Sequence, residues 1–330
     1  MSVPPHTIVD EGTDHLWEQL ANIVRKMGWT SHDNTVLSML PSLASIRCVF
    51  SQKNEDGSFL GGIVWSENND EVAWIGMYVC VPEVRGCGIG GRIWSRMMER
   101  IRATGKTFGL RALPPMAAKY SARDIPLEIS RMRCNIMSCA ELREICDKLE
   151  TTSSTILLKS SLSGTHLHEL LAFDKQMTGR DRSAVLSAFL ASPSFECAVL
   201  LDDAGGISGW AGITSTGLEE SQLFKLAPVY ASSLSEVAAL IKPLLPFCES
   251  FYADARIIIH ILTGTVGDRE LEPLLSKVDT LQGPNIISYP FSILHWESTR
   301  TDELFFFSFR QELRSSSVFM IQSTSRTTYE

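Results

Sequence analysis

Positive charge is in short supply: the 330 residues carry 30 Lys and Arg against 38 Asp and Glu, for a formal net charge of −8. The basic footprint that general nucleic-acid binding requires is missing, although a local cluster of donors for a small anion is still open. No two of the eight cysteines stand as a C-x-x-C pair, which removes the zinc-ribbon and thioredoxin-like readings. His166 and His168 are two apart and diverge on a helix, so no metal is expected. Long apolar runs are missing too: the most apolar stretches, such as Ile257 to Leu262, are far too short to span a bilayer. Met1 to Glu11 has neither the basic start nor the apolar core of a secretory signal. These absences lead us to expect a soluble chain in a reducing compartment, cytoplasmic or nuclear, with no nucleic-acid or membrane partner. Its oligomeric state is not legible.

What is present is ordinary globular composition, 44% hydrophobic and 21% charged, enough for packed cores. At roughly 100–200 residues per domain, two domains are expected. Helix and strand signals alternate along the first half. His15 to Met27 places Leu16, Leu20, Ile23, Val24 and Met27 at helical spacing. Ile46 to Ser51 and Ser58 to Trp65 read as strands around the turn residues Asn54, Asp56 and Gly57. Val72 to Val81 is a long strand ended by Pro82, and a glycine-rich loop, Arg85 to Gly91, opens a helix reaching about Thr104. Ile89, Ile93, Trp94, Met97, Met98 and Ile101 form its apolar stripe, with Arg92, Arg96 and Arg100 opposite. Thr107 to Leu113 is the next strand, a short helical piece carries Tyr120, and Ser130 to Ser138 is a last strand.

The charged stretch Glu141 to Glu150 places the domain boundary at 145/146, giving domains 1–145 and 146–300. The second half repeats the element order of the first. Leu167–Met177 and Ser183–Leu190 are helical, Cys197–Leu201, Ile207–Thr214 and Gln222–Val229 are strands, and Ser233 with Glu236 opens a helix to about Leu245. Arg256–Leu262 is a strand, Asp268 caps a further helix, and Phe291–Trp296 closes the sheet. Residues 301–330 hold an apolar C-terminal strand, Leu304–Phe309, and then a Ser/Thr/Arg-rich, poorly ordered tail from Ser315.

The segment Val79-Cys80-Val81-Pro82-Glu83-Val84-Arg85-Gly86-Cys87-Gly88-Ile89-Gly90-Gly91 carries the chemistry. Backbone N–H groups at a helix start have no intrahelical partner, and the helix dipole adds positive potential there. A diphosphate can therefore sit on them, with glycines allowing close approach. Gly86, Gly88 and Gly91 satisfy G-x-G-x-x-G, but the following strand lacks the carboxylate that a dinucleotide site wants about 20 residues on. No Lys follows the glycines, which excludes a nucleoside-triphosphate P-loop. An ordinary glycine-rich turn is the bland alternative.

Arg85, Gly88 and Gly90, behind Val81-Pro82-Glu83-Val84, fit [QR]-x-x-G-x-[GA] after a long strand. Over about residues 8–138 the chain resembles the GNAT N-acetyltransferases, and as a whole it looks like a tandem GNAT-like subgroup common in nematodes. The resemblance implies an α/β (mixed-sheet) fold class, with two GNAT-like domains, each a twisted mixed sheet with helices on both faces. It implies acetyl-CoA as co-substrate, held by Val79, Cys80, Val81, Arg85, Gly86, Cys87, Gly88, Ile89, Gly90 and Gly91. It further implies an acyltransferase acting on a small-molecule or peptide amine by direct attack in a ternary complex. A non-catalytic acyl-CoA-binding or sensor protein is the competing class. Tyr120, seven residues past Leu113, is the implied catalytic acid, although Leu113 replaces the usual Asn and Asp124-Ile125 the usual Gly-Phe. The general base is not visible: the nearby carboxylates Glu67, Glu71 and Glu83 each read as solvated loop charges rather than as a base. Cys87 at a helix start is a redox candidate or a neutral loop residue.

The matching place in the second half, Ala227-Pro228-Val229-Tyr230-Ala231-Ser232-Ser233, has no Arg and no Gly, so that half is expected not to bind coenzyme A. It is expected instead to close off the acceptor side or to hold a ligand of its own. Gly179-Arg180-Asp181-Arg182 lies where such folds shape an acceptor pocket, or is a solvated turn.

Overall fold

The computed structural model describes residues 4–27, 39–67, 72–112, 114–122, 124–125, 127–149, 154–179, 181–217, 222–263, 265–275, 279–288 and 305–306. Glu71, Leu113, Arg180, Phe291–Trp296 and Ser315–Glu330, which figured in the sequence expectations, lie outside them. The chain divides into two compact units, with the main division at 129/130.

In the first unit the strands are β1 (His6–Val9), β2 (Ile46–Lys53), β3 (Phe59–Ser66), β4 (Val72–Cys80) and β5 (Thr107–Ala112). They pair in that order, antiparallel from β1 to β4 and parallel between β4 and β5. Among the described residues the helices that accompany them are α1 (Asp14–Lys26), α2 (Ile89–Ala103) and α3 (Pro114–Ser121). Helix α1 starts where Thr13 accepts from the Leu16 amide, and Asp14 and Arg25–Lys26 complement its dipole. Along α2 the whole expected stripe is buried, against Ile63 and Trp65 of β3, Ala73 and Ile75 of β4 and Phe108 and Leu110 of β5. Each such side chain contributes about 1.5–3 kcal/mol by leaving water.

The arginines on the other side of α2 are not simply solvated. Arg96 grips Asp10 through both oxygens, and Arg100 donates to the carbonyls of Asp10 and Cys48 at 2.9 and 2.8 Å. Its guanidinium also lies 5.0 Å above the Trp65 ring. They tie the segment after β1 to the helix.

The second unit has the same order of parts. Its strands are β6 (Leu127–Ser138, from Ser130 on), β7 (Thr155–Leu158), β8 (Phe195–Leu201), β9 (Ile207–Ser215), β10 (Leu223–Ala231), β11 (Arg256–Leu262), β12 (Asp279–Ser288, as far as Asn285) and β13 (Phe305–Phe306). Its helices are α4 (Cys139–Asp147), α5 (Gly164–Thr178), α6 (Ser183–Ala191), α7 (Leu234–Ile241), α8 (Leu245–Phe251) and α9 (Val266–Leu275). β7 to β10 run antiparallel in sequence, β11 is parallel to β10, and Met132–Ser138 of β6 is antiparallel to β11.

The division at 129/130 falls earlier than the boundary expected at 145/146. The strand assigned to the end of the first domain pairs with Arg256–Leu262 of the second unit, and the charged stretch after it is not a linker. It is the amphipathic helix α4, opened by a capping box between Ser138 and Glu141, with Cys139, Leu142 and Cys146 in the core of the second unit. The helix expected from Ser233 to about Leu245 ends at Ile241 and resumes as α8. Pro243 and Pro246 lack the N–H that an unbroken helix would use.

Candidate active site

The site of the first unit begins with a defect in the sheet. Ile75 and Tyr78 of β4 pair with Trp65 and Ile63 of β3, so Gly76 and Met77 together oppose Val64 alone. That is a β-bulge, which bends the strand and raises its twist. At the same place β4 parts from β5: their parallel pairing ends at Ile75 and Leu110, while β4 continues to Cys80. The two strands splay. Gly76, at the apex, is exposed while every other residue of β4 is buried or half-buried, and a Cβ built on it meets nothing closer than the Val64 carbonyl at 3.6 Å.

Beyond the bulge, alternation decides which backbone groups face the opening. The Val81 amide is given to Leu60 O at 3.0 Å, so Val79 and Val81 turn toward β3 and the polar groups of Tyr78 and Cys80 turn the other way. Consistent with this, the Cys80 carbonyl accepts from Arg85 Nε at 3.2 Å. Of the three strand positions named from sequence, Cys80 faces the opening. Val79 and Val81 do not, because their N–H groups belong to the ladder. Tyr78, which the sequence reading overlooked, does face it.

The strand then passes through a 3₁₀ turn, Pro82–Val84, into the glycine loop. The amides of Arg85 and Cys87 are taken by the carbonyls of Pro82 and Val84 at 3.2 and 3.3 Å. Those of Gly86, Gly88, Ile89, Gly90 and Gly91 have no hydrogen-bond partner among the described residues, and no side chain caps the start of α2. Gly86 and Gly88 have φ of +77° and +84°, a region an L side chain enters at about 1–2 kcal/mol, and built Cβ atoms there meet nothing within 4 Å. The space before them is open.

Gly90 is required for a different reason. A Cβ there would stand 2.6 Å from Tyr78 Oη and 3.2 Å from Cys80 Sγ, so the missing side chain lets two strand residues pack on the first turn of the helix. Cys87 is half-buried. Burial raises the Cys80 thiol, with the nearby Arg85 working against it.

Tyr120 is half-buried and stacks on Trp94 at 5.4 Å and 26°. Trp94 in turn lies 5.6 Å from Tyr78, so one row of rings runs from β4 across α2 to α3. Its Nε1 is fixed by Asp124 at 2.6 Å. Burial first, and then the neighbouring Tyr78, push the Tyr120 phenol above its usual range, so the hydroxyl keeps its proton. The carboxylates stand elsewhere. Glu67 accepts from Trp65 Nε1 at 2.8 Å and lies 3.8 Å from Arg47 and 3.6 Å from Lys106, at the far end of β3 and β4. Glu83 is exposed on the 3₁₀ turn.

The second unit repeats the sheet defect without the loop. Leu226 and Val229 of β10 pair with Ile213 and Ala211, which leaves Ala227 and Pro228, joined by a cis bond, opposite Gly212. The β10–β11 pairing ends at Leu226 and Ile259. Only residues 232 and 233 then separate strand from helix, against 81 to 88 in the first unit. Glu236 takes the place of an anion: its carboxylate accepts from the Ser232 amide at 2.6 Å and from Ser232 Oγ at 2.7 Å, while its own amide donates to Ser233 Oγ.

The turn expected to be solvated around Gly179–Arg182 is only partly so. Asp181 is exposed and accepts from Ser183. Arg182, 9% exposed, grips Asp174, 1% exposed, through Nε and Nη2, and Nη2 reaches Tyr230 Oη at 3.4 Å. Among the described residues no group of His, Cys, Asp or Glu could hold a metal ion, and no helix is long and apolar enough to cross a membrane.

A strand that bulges and splays before a helix is the framework of the GNAT fold; it is present in both mixed sheets, with the glycine loop in the first alone. A profile of the acetyltransferase (GNAT) family matches residues 16–113. A Caenorhabditis elegans protein, uncharacterised, is 30% identical over 253 residues, covering 76% of this chain and 80% of its own. Among solved structures, a tandem GNAT protein from the clavulanic acid biosynthesis pathway superimposes with a TM-score of 0.64 at 11% identity, over 86% of this chain and 98% of its own. A GCN5-related N-acetyltransferase from Kribbella flavida gives 0.50 at 11% identity, over 86% and 71%. The chain belongs to the GNAT acetyltransferase family, and its two mixed sheets match the fold of a tandem GNAT protein.

Proposed function

We propose that the first unit binds acetyl-CoA and transfers its acetyl group to a primary amine, of a small molecule or a peptide, within a ternary complex. One observation carries this reading: the unpartnered amides of Gly86 and Gly88–Gly91 stand at a helix start directly after a strand that has parted from its neighbour. The amides and the positive end of α2 suit a diphosphate. The loop offers no Cβ at Gly86 or Gly88 to block it, and Arg85 adds a cation at the rim. The edge at Tyr78 and Cys80 suits an extended amide-bearing arm that hydrogen-bonds as a strand would.

Acetyl-CoA supplies the activated acyl group as a thioester. Gly76, at the apex, leaves the carbonyl carbon accessible to the amine. Backbone N–H groups of the splayed strand stabilise negative charge on the carbonyl oxygen. The amine nitrogen must arrive deprotonated, since its lone pair forms the C–N bond as the C–S bond breaks. Tyr120 Oη holds the proton that the departing sulfur takes up, and solvent receives the proton lost from nitrogen and restores that of Tyr120. No carboxylate is placed as base among the described residues, so a water path to solvent fills that role. The second unit, without loop or arginine, takes no part in cofactor binding.

The test is direct. Purified protein is titrated with acetyl-CoA by calorimetry and then assayed for thiol release against a panel of primary amines. One bound cofactor per chain with amine-dependent release supports the reading. Binding with no release across the panel leaves the acyl-CoA-binding, non-catalytic alternative, and no binding at all removes both.

A further inference from the structure

We infer that Asp124 and Trp94 are positioning residues for Tyr120: the turn after α3 and the ring on α2 together fix where the Tyr120 phenol stands. This role rests on the acid function proposed above for Tyr120 and extends it to two residues that need not touch substrate.

Tyr120 is the last residue but one of the short helix α3. A phenol there swings about two side-chain torsions unless something outside the helix stops it. Two sets of contacts close around it. At the backbone, the amides of Asp124 and Ile125 both donate to the Tyr120 carbonyl, at 3.2 and 3.1 Å. Ile125 is fully buried and anchors that turn in the core of the first unit. At the ring, Tyr120 stacks on Trp94.

Asp124 joins the two, because its Oδ2 accepts from Trp94 Nε1 at 2.6 Å. The result is a closed circuit. It runs from the Tyr120 carbonyl through the Asp124 amide and carboxylate to the indole, and back to the Tyr120 ring. Trp94 is 2% exposed, within the buried stripe of α2, so the surface on which Tyr120 lies cannot shift without disturbing a close-packed core.

The link is chemically specific. A short bond from an indole N–H to a carboxylate is of the charge-assisted kind, stronger and more directional than packing alone. The other oxygen of Asp124 faces Arg102 Nη2 at 3.3 Å, a largely exposed arginine whose pairing contributes little. Misplacing a group by 1 Å near the chemistry costs about 100-fold in rate, so a Tyr120 free to rock on α3 would seldom stand in line with the departing sulfur. The circuit includes none of the amides at Gly86–Gly91, and cofactor affinity therefore lies outside its reach.

A double-mutant cycle tests the role. Asp124→Ala removes the acceptor, and Trp94→Phe keeps a ring but no N–H. Each is expected to lower kcat for amine-dependent thiol release by about tenfold, with the KM for acetyl-CoA and the calorimetric affinity for coenzyme A near their original values. Asp124→Asn, which keeps an oxygen for the indole, is expected to recover most of the loss. The deciding readout is Asp124→Ala or Trp94→Phe placed in Tyr120→Phe, where no phenol remains to be aimed: kcat is expected to fall no further. A further fall in that background, or undiminished kcat in the folded single variants, overturns the positioning role while the proposed function stands. No release from the unaltered protein removes the proposed function, and this role with it. Trp94→Phe decides the question even where Asp124→Ala does not fold.

Discussion

The two strand–helix junctions of this protein start from one plan and end in opposite chemistry. Each has a bulge of two residues against one, Gly76–Met77 against Val64 and Ala227–Pro228 against Gly212, and each parts from its parallel neighbour at that point. In the first unit the strand is followed by a glycine loop whose amides point outward from an uncapped helix. In the second the helix begins almost at once, Ser233 Oγ caps the Glu236 amide, and the Glu236 carboxylate reaches back to the Ser232 amide. The splay belongs to the sheet and is present in both units, whereas the unpartnered amides belong to a few loop residues and are found, among the described residues, at the junction of the first. The opening of the sheet therefore does not by itself supply the groups that would use it.

The largest expected effect probes the second unit alone. Asp174→Asn leaves the buried Arg182 without its counter-charge, which costs about 3–5 kcal/mol. Urea unfolding would show the loss, with coenzyme A affinity of the first unit unchanged. In the first unit, Gly88→Asp places both a side chain at positive φ and a like charge before the diphosphate position. Coenzyme A affinity is expected to fall by about 100-fold, or ~2.7 kcal/mol. Titration calorimetry checks this, and unchanged affinity would remove the cradle.

Tyr120→Phe is expected to lower kcat by about 100-fold while leaving the KM for acetyl-CoA near its original value, as for a lost proton donor. Because burial raises the folded phenol, the unaltered enzyme should show no loss of acid function up to the usual tyrosine value of about 10. The linkage follows in sign. The folded state holds the proton more tightly than the unfolded chain, so this group's contribution to stability is present below that value and falls as pH rises above it. A kcat profile that declines through pH 8–9 in the unaltered enzyme but not in Tyr120→Phe would contradict the raised phenol.

The smallest effect sharpens the contrast between junctions. Glu236→Gln weakens the self-made cap of α7 by about 1 kcal/mol, read as a modest fall in Tm. It creates no second cofactor site, because the loop itself is missing.

Local spacing made much of this legible. The stripe from Ile89 to Ile101 repeats at the helical period, and it is buried as a unit. The break at Pro82 and the glycines at 86, 88, 90 and 91 mark a strand, a loop and a helix start with no reference to the rest of the chain. The repeat of element order is likewise a matter of local pattern. The boundary was not legible. Glu141–Glu150 carries enough charge to hide Cys139, Leu142 and Cys146, whose apolar face acquires meaning only beside the core of the second unit. Arg182 shows the same limit: a charged turn in sequence becomes a buried ion pair because Asp174, eight residues earlier on α5, is folded back against it.

By itself, then, the sequence determined where the helix of the first unit begins, that glycines rather than side chains start it, and that the second unit lacks such a start, since turn chemistry and hydrophobic period act over a few neighbouring residues. Tertiary structure alone decided that β4 and β5 part after Ile75, that Tyr78 and Cys80 rather than Val79 face the gap, that Gly90 makes room for a tyrosine, and that Phe305 and Phe306 reach β10. Each of these depends on which strand lies beside which and in what register, a pairing between residues distant along the chain that no local pattern records.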